Sequence, residues 1–74
     1  MPRLPIISGI EAVKVFHKLD YEVDHQTGSH IILRQRKYPH RRLTVPNHKE
    51  LSKGTLRSLI KQAGLTIEEF IDFL

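Results

Sequence analysis

The stretch TGSHIILRQRK, Thr27 to Lys37, sets a turn directly before a basic, strand-like run and leaves one histidine at the junction. Gly28 can take the positive φ that a reversal needs, so Thr27-Gly28-Ser29 reads as a hairpin turn. Ahead of it, Tyr21 to Gln26 alternates Tyr21, Val23 and His25 against Glu22, Asp24 and Gln26, the period of a strand. His30 to Arg36 forms a second strand. Lys37 to His40, containing Pro39, makes the next turn. Arg41 to Val45 is a third strand, stopped by Pro46, which has no amide to donate to a ladder.

Register decides which way His30 faces, because a slip of one residue reverses every side chain. A three-residue loop pairs Gln26 with His30, Asp24 with Ile32, Glu22 with Arg34 and Val23 with Leu33. That matches an acid to Arg34 and an apolar side chain to Leu33, as a stable hairpin prefers. The alternative that joins His25 to His30 and Val23 to Ile32 sets Tyr21 against Arg34. The first register is the expectation. It gives His30, Ile32, Arg34 and Arg36 one outer face, with His30 heading an open column above two arginines.

Helix signals flank the strands. Ser8-Gly9-Ile10-Glu11 fits a capping box, followed by an apolar face of Ile10, Val13 and Phe16, extended by Ala12 and Leu19, ending near Leu19. Met1 to Ile7, with two prolines, reads as an extended arm. After Leu51, the residues Leu56, Leu59, Ile60 and Ala63 share a helical face, with Arg57 and Lys61 elsewhere and Gly64 as the stop. Thr66-Ile67-Glu68-Glu69 is a second capping box, leading a stripe of Ile67, Phe70, Ile71 and Leu74. The fold class is therefore α+β: a helix, a three-stranded antiparallel sheet, a helix and a short C-terminal helix. Helices must cover one sheet face and leave the other open.

The 74 residues suffice for one domain, 1–74, near the lower size limit for a self-sufficient core. With 39% hydrophobic residues that core must be compact, and a stabilising partner is in keeping with it. The chain has no cysteine, hence neither disulfides nor a thiolate zinc site. It has no apolar run of membrane-spanning length and no signal-peptide stretch, so no membrane association and a cytoplasmic location are expected.

The net charge is +4, and no carboxylate occurs between Asp24 and Glu50. Arg34, Arg36, Lys37, Arg41, Arg42 and Lys49 lie in that interval, with His30, His40 and His48 among them. A polyanion such as nucleic acid is the natural partner of this charge. The plainer readings are a solvated basic face or a docking surface for an acidic protein.

Most enzyme chemistries find no support. Ser29 and His30 are adjacent, and neighbouring strand residues face opposite ways, which makes a poor nucleophile–base pair. His25, His30, His40 and His48 lack metal-ligand spacing, and no cofactor motif is present, neither a phosphate-binding glycine loop nor paired acids for magnesium. What remains is proton transfer on a bound polyanion. RNA carries its own nucleophile, the 2′-hydroxyl, so a histidine to move protons and cations to hold charge would suffice. On this evidence alone His30 stands open between a catalyst and an ordinary surface histidine.

A set of motifs adds to that reading: TGSH at Thr27 to His30, TVPNH at Thr44 to His48, and KGTLRSLIKQAGLTIEEF at Lys53 to Phe70, preceded by SGIEAVKVFHKLDYEV. No single motif is specific, but the set in this order resembles the HicA family of toxin endoribonucleases from prokaryotic toxin–antitoxin modules, from Ser8 to Leu74. The resemblance implies a fold like the double-stranded-RNA-binding domain and metal-independent cleavage of mRNA. It implies His30, of the Gly-Ser-His motif, as the catalytic residue. It also implies a HicB-type antitoxin as partner in a hetero-oligomeric complex. Gly28 is then a structural turn residue, and RNA is expected on Ser29, Arg34, Arg36, Lys37, Arg42, His48, Lys49 and Lys53. Ser29 reads as a turn residue or phosphate donor, and His48 as an assisting group or a plain loop histidine. The helix start at Ser52-Lys53-Gly54-Thr55 reads either as a phosphate cradle or as simple capping. The chain departs from the family at Asp20, where glycine is common, and at Lys37-Tyr38-Pro39-His40, where many members have a short glycine-containing turn. A non-catalytic RNA-binding module and a protein docking an acidic partner are the alternatives.

Overall fold

Each helix begins where a side chain can satisfy its first amides. The computed structural model describes residues 3–74, so Met1 and Pro2 of the expected arm lie outside the described residues. Helix α1 (Gly9–Lys18) starts at the expected capping box: Ser8 Oγ accepts from the Glu11 amide at 3.1 Å and Glu11 Oε1 from the Ser8 amide at 3.0 Å. Three strands follow, β1 (Tyr21–Thr27), β2 (His30–Gln35) and β3 (Arg42–Pro46). They form one antiparallel sheet in the order β1-β2-β3. Helix α2 (Lys53–Gln62) is capped by Ser52, whose hydroxyl accepts from the Thr55 amide at 3.2 Å. Helix α3 (Ile67–Asp72) has the second capping box, between Thr66 and Glu69. This is the α+β order expected from the sequence.

The helices cover one face of the sheet. Tyr21, Ile31, Leu33, Leu43 and Val45 point into the core, where they meet Ala12, Val15 and Phe16 of α1 and Leu56, Leu59 and Ile60 of α2. Phe16 is the meeting point of three elements, packing edge-on to Tyr21 at 5.8 Å and tilted against Phe70 of α3 at 5.4 Å. Burying one such ring contributes about 1.5–3 kcal/mol. Leu4 and Ile7 of the arm also pack into this core, and the Ile7 carbonyl accepts from the Leu51 amide at 2.8 Å.

Two sequence expectations need correction. The buried face of α1 is Gly9, Ala12, Val15 and Phe16, with Val13 at its edge, whereas Ile10 is 47% exposed. The helix is turned by its start. A Cβ at Gly9 would fall inside the van der Waals shell of the Pro46 carbonyl oxygen, and the Gly9 amide donates to the His48 carbonyl at 2.9 Å. That close approach points Gly9 and Ala12 inward and leaves Ile10 outside.

The second correction concerns the hairpin. The turn has two residues, Gly28 and Ser29, with Gly28 at φ 50°, and Thr27 rather than Gln26 faces His30. Gln26 pairs with Ile31 and His25 with Ile32. Beyond a bulge at Asp24 the ladder returns to the expected pairs, Val23 with Leu33 and Glu22 with Arg34. The expected register therefore holds below the bulge and fails above it.

Asp20, between α1 and β1, takes φ 70°, in the left-handed region. Its carbonyl accepts from the Arg36 amide at 2.8 Å, which ties the end of α1 to the end of β2. The loop between β2 and β3 contains a cis Tyr38–Pro39 peptide and His40 at φ 58°.

The tight seat of Gly9 can be measured against a glycine in open space. Gly9→Ala should lower stability by about 1–3 kcal/mol, the usual cost of overpacking. A Cβ at Gly54, within α2, meets nothing, so Gly54→Ala should raise stability by up to about 1 kcal/mol. Chemical denaturation of both variants checks this, and equal midpoints would refute the account of the α1 seat.

Candidate functional site

The face of the sheet away from the helices is built from alternate residues of each strand. On β2 these are His30, Ile32 and Arg34, since Ile31 and Leu33 are in the core. Pairing brings Pro46, Thr44 and Arg42 of β3 alongside them, and Thr27, His25 and Glu22 of β1 on the other side. His30 is exposed at the first position of the central strand and makes no side-chain hydrogen bond among the described residues. Gly28, beside it in the turn, leaves open space where a side chain would stand.

The segment after β3 is held against the same end of the sheet. The Asn47 amide donates to the Ser29 carbonyl at 2.6 Å, and the His48 carbonyl is taken by Gly9. His48, two residues past the Pro46 that pairs with His30, is thereby held near this end of the sheet and is exposed. Ser29 contributes its carbonyl to this stitching. Lys49 is exposed in the loop that follows, and Lys53 is exposed in the first turn of α2.

The remaining cations sit further along. Arg34 lies four residues along the strand from His30, about 13 Å, while Arg36 and Lys37 lie past the far end of β2. Arg36 faces Glu22 at 3.9 Å and Lys37 faces Asp20 at 3.5 Å. Arg42, directly opposite Arg34, donates to Asp24 Oδ2 at 3.0 Å. Arg34 has no acid within salt-bridge distance among the described residues, which makes it the arginine of the face with its charge uncommitted. Arg41 has left the face altogether and donates to the Gln62 carbonyl at 3.2 Å, closing the C-terminal end of α2.

Asp24 and His25 were not expected in the site. The bulge turns both onto the open face, although neighbours in a regular strand alternate. Asp24 Oδ2 accepts from His25 Nδ1 at 2.9 Å as well as from Arg42. The hydrogen bonds from His25 and Arg42 hold the Asp24 carboxyl below its ordinary value of 3.8. Among the described residues no three His, Asp or Glu side chains gather as a metal-binding set. A separate apolar groove of about 380 Å³, lined by Val13, His17, Tyr21, Val23 and Leu33, lies on the helical side of the sheet.

With this geometry, comparison with known families is decisive. The family model described as HicA toxin of bacterial toxin–antitoxin matches residues 9–65. The chain belongs to the HicA toxin family. No curated protein matches it. The matched span contains the whole sheet and α2, and so all of the strands that build the open face. Among the described residues no helix is long and apolar enough to cross a membrane.

The Asp24 cluster has a direct spectroscopic signature. Carbon-detected titration of the Asp24 carboxyl should give a midpoint below 3.8, and Arg42→Ala should move it part of the way back. A midpoint at or above 3.8 in the unmodified protein would contradict the hydrogen-bonded cluster.

Proposed function

We propose that this HicA-family chain is the toxin of a toxin–antitoxin pair, an endoribonuclease that cleaves mRNA on the open face of its sheet and is restrained by a HicB-type antitoxin. The observation that carries the reading is the setting of His30. It is exposed at the head of the central strand, beside a turn without side-chain bulk, with the uncommitted Arg34 in the same column.

The chemistry needs little more. The 2′-hydroxyl of RNA attacks the adjacent phosphorus once a base draws off its proton, and the departing oxygen leaves once an acid supplies one. His30 serves as one of these groups, histidine being the side chain suited to moving protons at neutral pH. Arg34, about 13 Å along the strand, holds the phosphate of a neighbouring nucleotide and so positions the RNA strand. Ser29 and His48 near the His30 end, Arg42 beside Arg34, and the exposed Lys49 and Lys53 of the segment that follows guide the RNA strand. Arg36 and Lys37, at the far end of β2, act on nucleotides distant from the cleaved bond.

His30→Ala should lower RNA cleavage by about 100-fold or more and end growth arrest on expression, with the fold and RNA affinity retained. Undiminished cleavage by a pure, folded His30→Ala protein would remove His30 from the mechanism. Salt-sensitive binding by the antitoxin-free wild type with no turnover would favour an RNA-binding module instead. Arg34→Ala should weaken RNA binding and reduce the slope of log affinity against log salt by about 1. An unchanged slope would show that Arg34 meets no phosphate.

A further inference from the structure

We propose that His25, oriented by Asp24, is the second proton-transfer group of this face and acts across the scissile phosphodiester from His30. The inference rests on the endoribonuclease reading above and assigns the partner that its chemistry requires.

The bulge is the geometric basis. A regular continuation of β1 below Asp24 would turn His25 toward the helical side, with Val23. The extra residue instead sets His25 opposite Ile32, and Thr27 opposite His30, all on the open face. His25 and His30 are therefore diagonal cross-strand neighbours, with Cα atoms about 7–8 Å apart. Two imidazoles so placed leave room for one phosphodiester between them. Its attacking and leaving oxygens each need a ring nitrogen at about 2.6–3.2 Å.

The hydrogen bonding fixes which ring does what. An ionised carboxylate is acceptor only, so the 2.9 Å contact requires His25 Nδ1 to carry the proton. The neutral ring then presents the Nε2 lone pair outward, the arrangement of a general base held by an orienting acid. Arg42 fixes Asp24 from β3, across the central strand, so the carboxylate is positioned from both flanks. The other titratable and charged groups on this face are His30, Arg34 and Glu22, the last facing Arg36. His30, with no side-chain partner among the described residues, supplies the acid.

The step balances without a co-reactant. The 2′-oxygen bonds to phosphorus as its proton passes to His25 Nε2. The bond from phosphorus to the 5′-oxygen breaks as that oxygen takes a proton from His30. The products are a 2′,3′-cyclic phosphate and a 5′-hydroxyl.

Single-turnover cleavage of an oligoribonucleotide by the full, antitoxin-free chain tests this across pH. The wild type should give a bell-shaped profile. His25→Ala should lower the maximal rate by about 10²–10⁴-fold and lose the limb that rises from low pH. Asp24→Asn should lower the saturated rate by a smaller factor and keep both limbs. With sulfur replacing the leaving 5′-oxygen, which needs no acid, His30→Ala should regain most of its lost rate and His25→Ala should not. A His25→Ala protein with wild-type rate and profile, beside an inert His30→Ala protein, overturns this inference and leaves the endoribonuclease reading standing. Rescue of His25→Ala by the sulfur substrate overturns its role as base. Full activity of His30→Ala, or a wild type that never cleaves, overturns the underlying reading and this inference with it.

Discussion

A hairpin closed by two residues and paired further down between Glu22 and Arg34 has one residue too many on its first strand. The chain absorbs the surplus at Asp24, and much of the open face follows from that constraint. Without the bulge, a two-residue turn would set Val23 and Glu22 against the wrong partners and drive apolar and charged side chains to the wrong sides. With it, Leu33 keeps an apolar neighbour, Arg34 keeps an acidic one, and His30 still stands on the open side at the turn. The irregularity reconciles a good turn with a good ladder. It also gathers Asp24, His25 and Arg42 at a spot where a flat strand would present one side chain.

The packing beneath that face is economical, as it must be in so small a domain. Phe16 touches both Tyr21 and Phe70, so one ring couples the first helix, the first strand and the last helix. The segment from Asn47 to Leu51 is stitched on one side to the hairpin turn and on the other to Ile7 and Gly9. Those backbone bonds, rather than side-chain contacts, bring His48 to the His30 end of the sheet. Position in this molecule is thus set largely by main-chain groups whose burial demands partners.

The sequence made much of this legible. Both capping boxes are local signatures, and they mark the starts of α1 and α3 correctly. Leu56, Leu59 and Ile60 repeat at helical spacing and are buried as that spacing requires. His30, Ile32 and Arg34 alternate along one strand, and their outward face follows from the inward burial of Ile31 and Leu33. The turned face of α1 was hidden because periodicity gives weight to large side chains, whereas close approach selects small ones, here Gly9 and Ala12. The Asp24–His25 pair was hidden because uniform pairing has no place for an extra residue. The signal was present in two conflicting demands: Gly-Ser suits a two-residue turn, while Glu22 and Arg34 call for the longer register. The family relation added the toxin assignment, which neither charge nor spacing supplies.

The acids of β1 and its approach, Asp20, Glu22 and Asp24, stand beside Lys37, Arg36 and Arg42 respectively. The open face therefore carries its own counter-ions. An incoming polyanion does not meet bare cations there; it competes with carboxylates already in place. At those three sites, attachment is an exchange of one anion for another, and its strength reflects the difference between phosphate and carboxylate. At Arg34, which no acid meets within salt-bridge distance among the described residues, the exchange becomes a simple gain. A count of basic residues overstates the pull of this surface, while the pattern of paired and unpaired cations gives it a preferred point of contact, in the column that His30 heads.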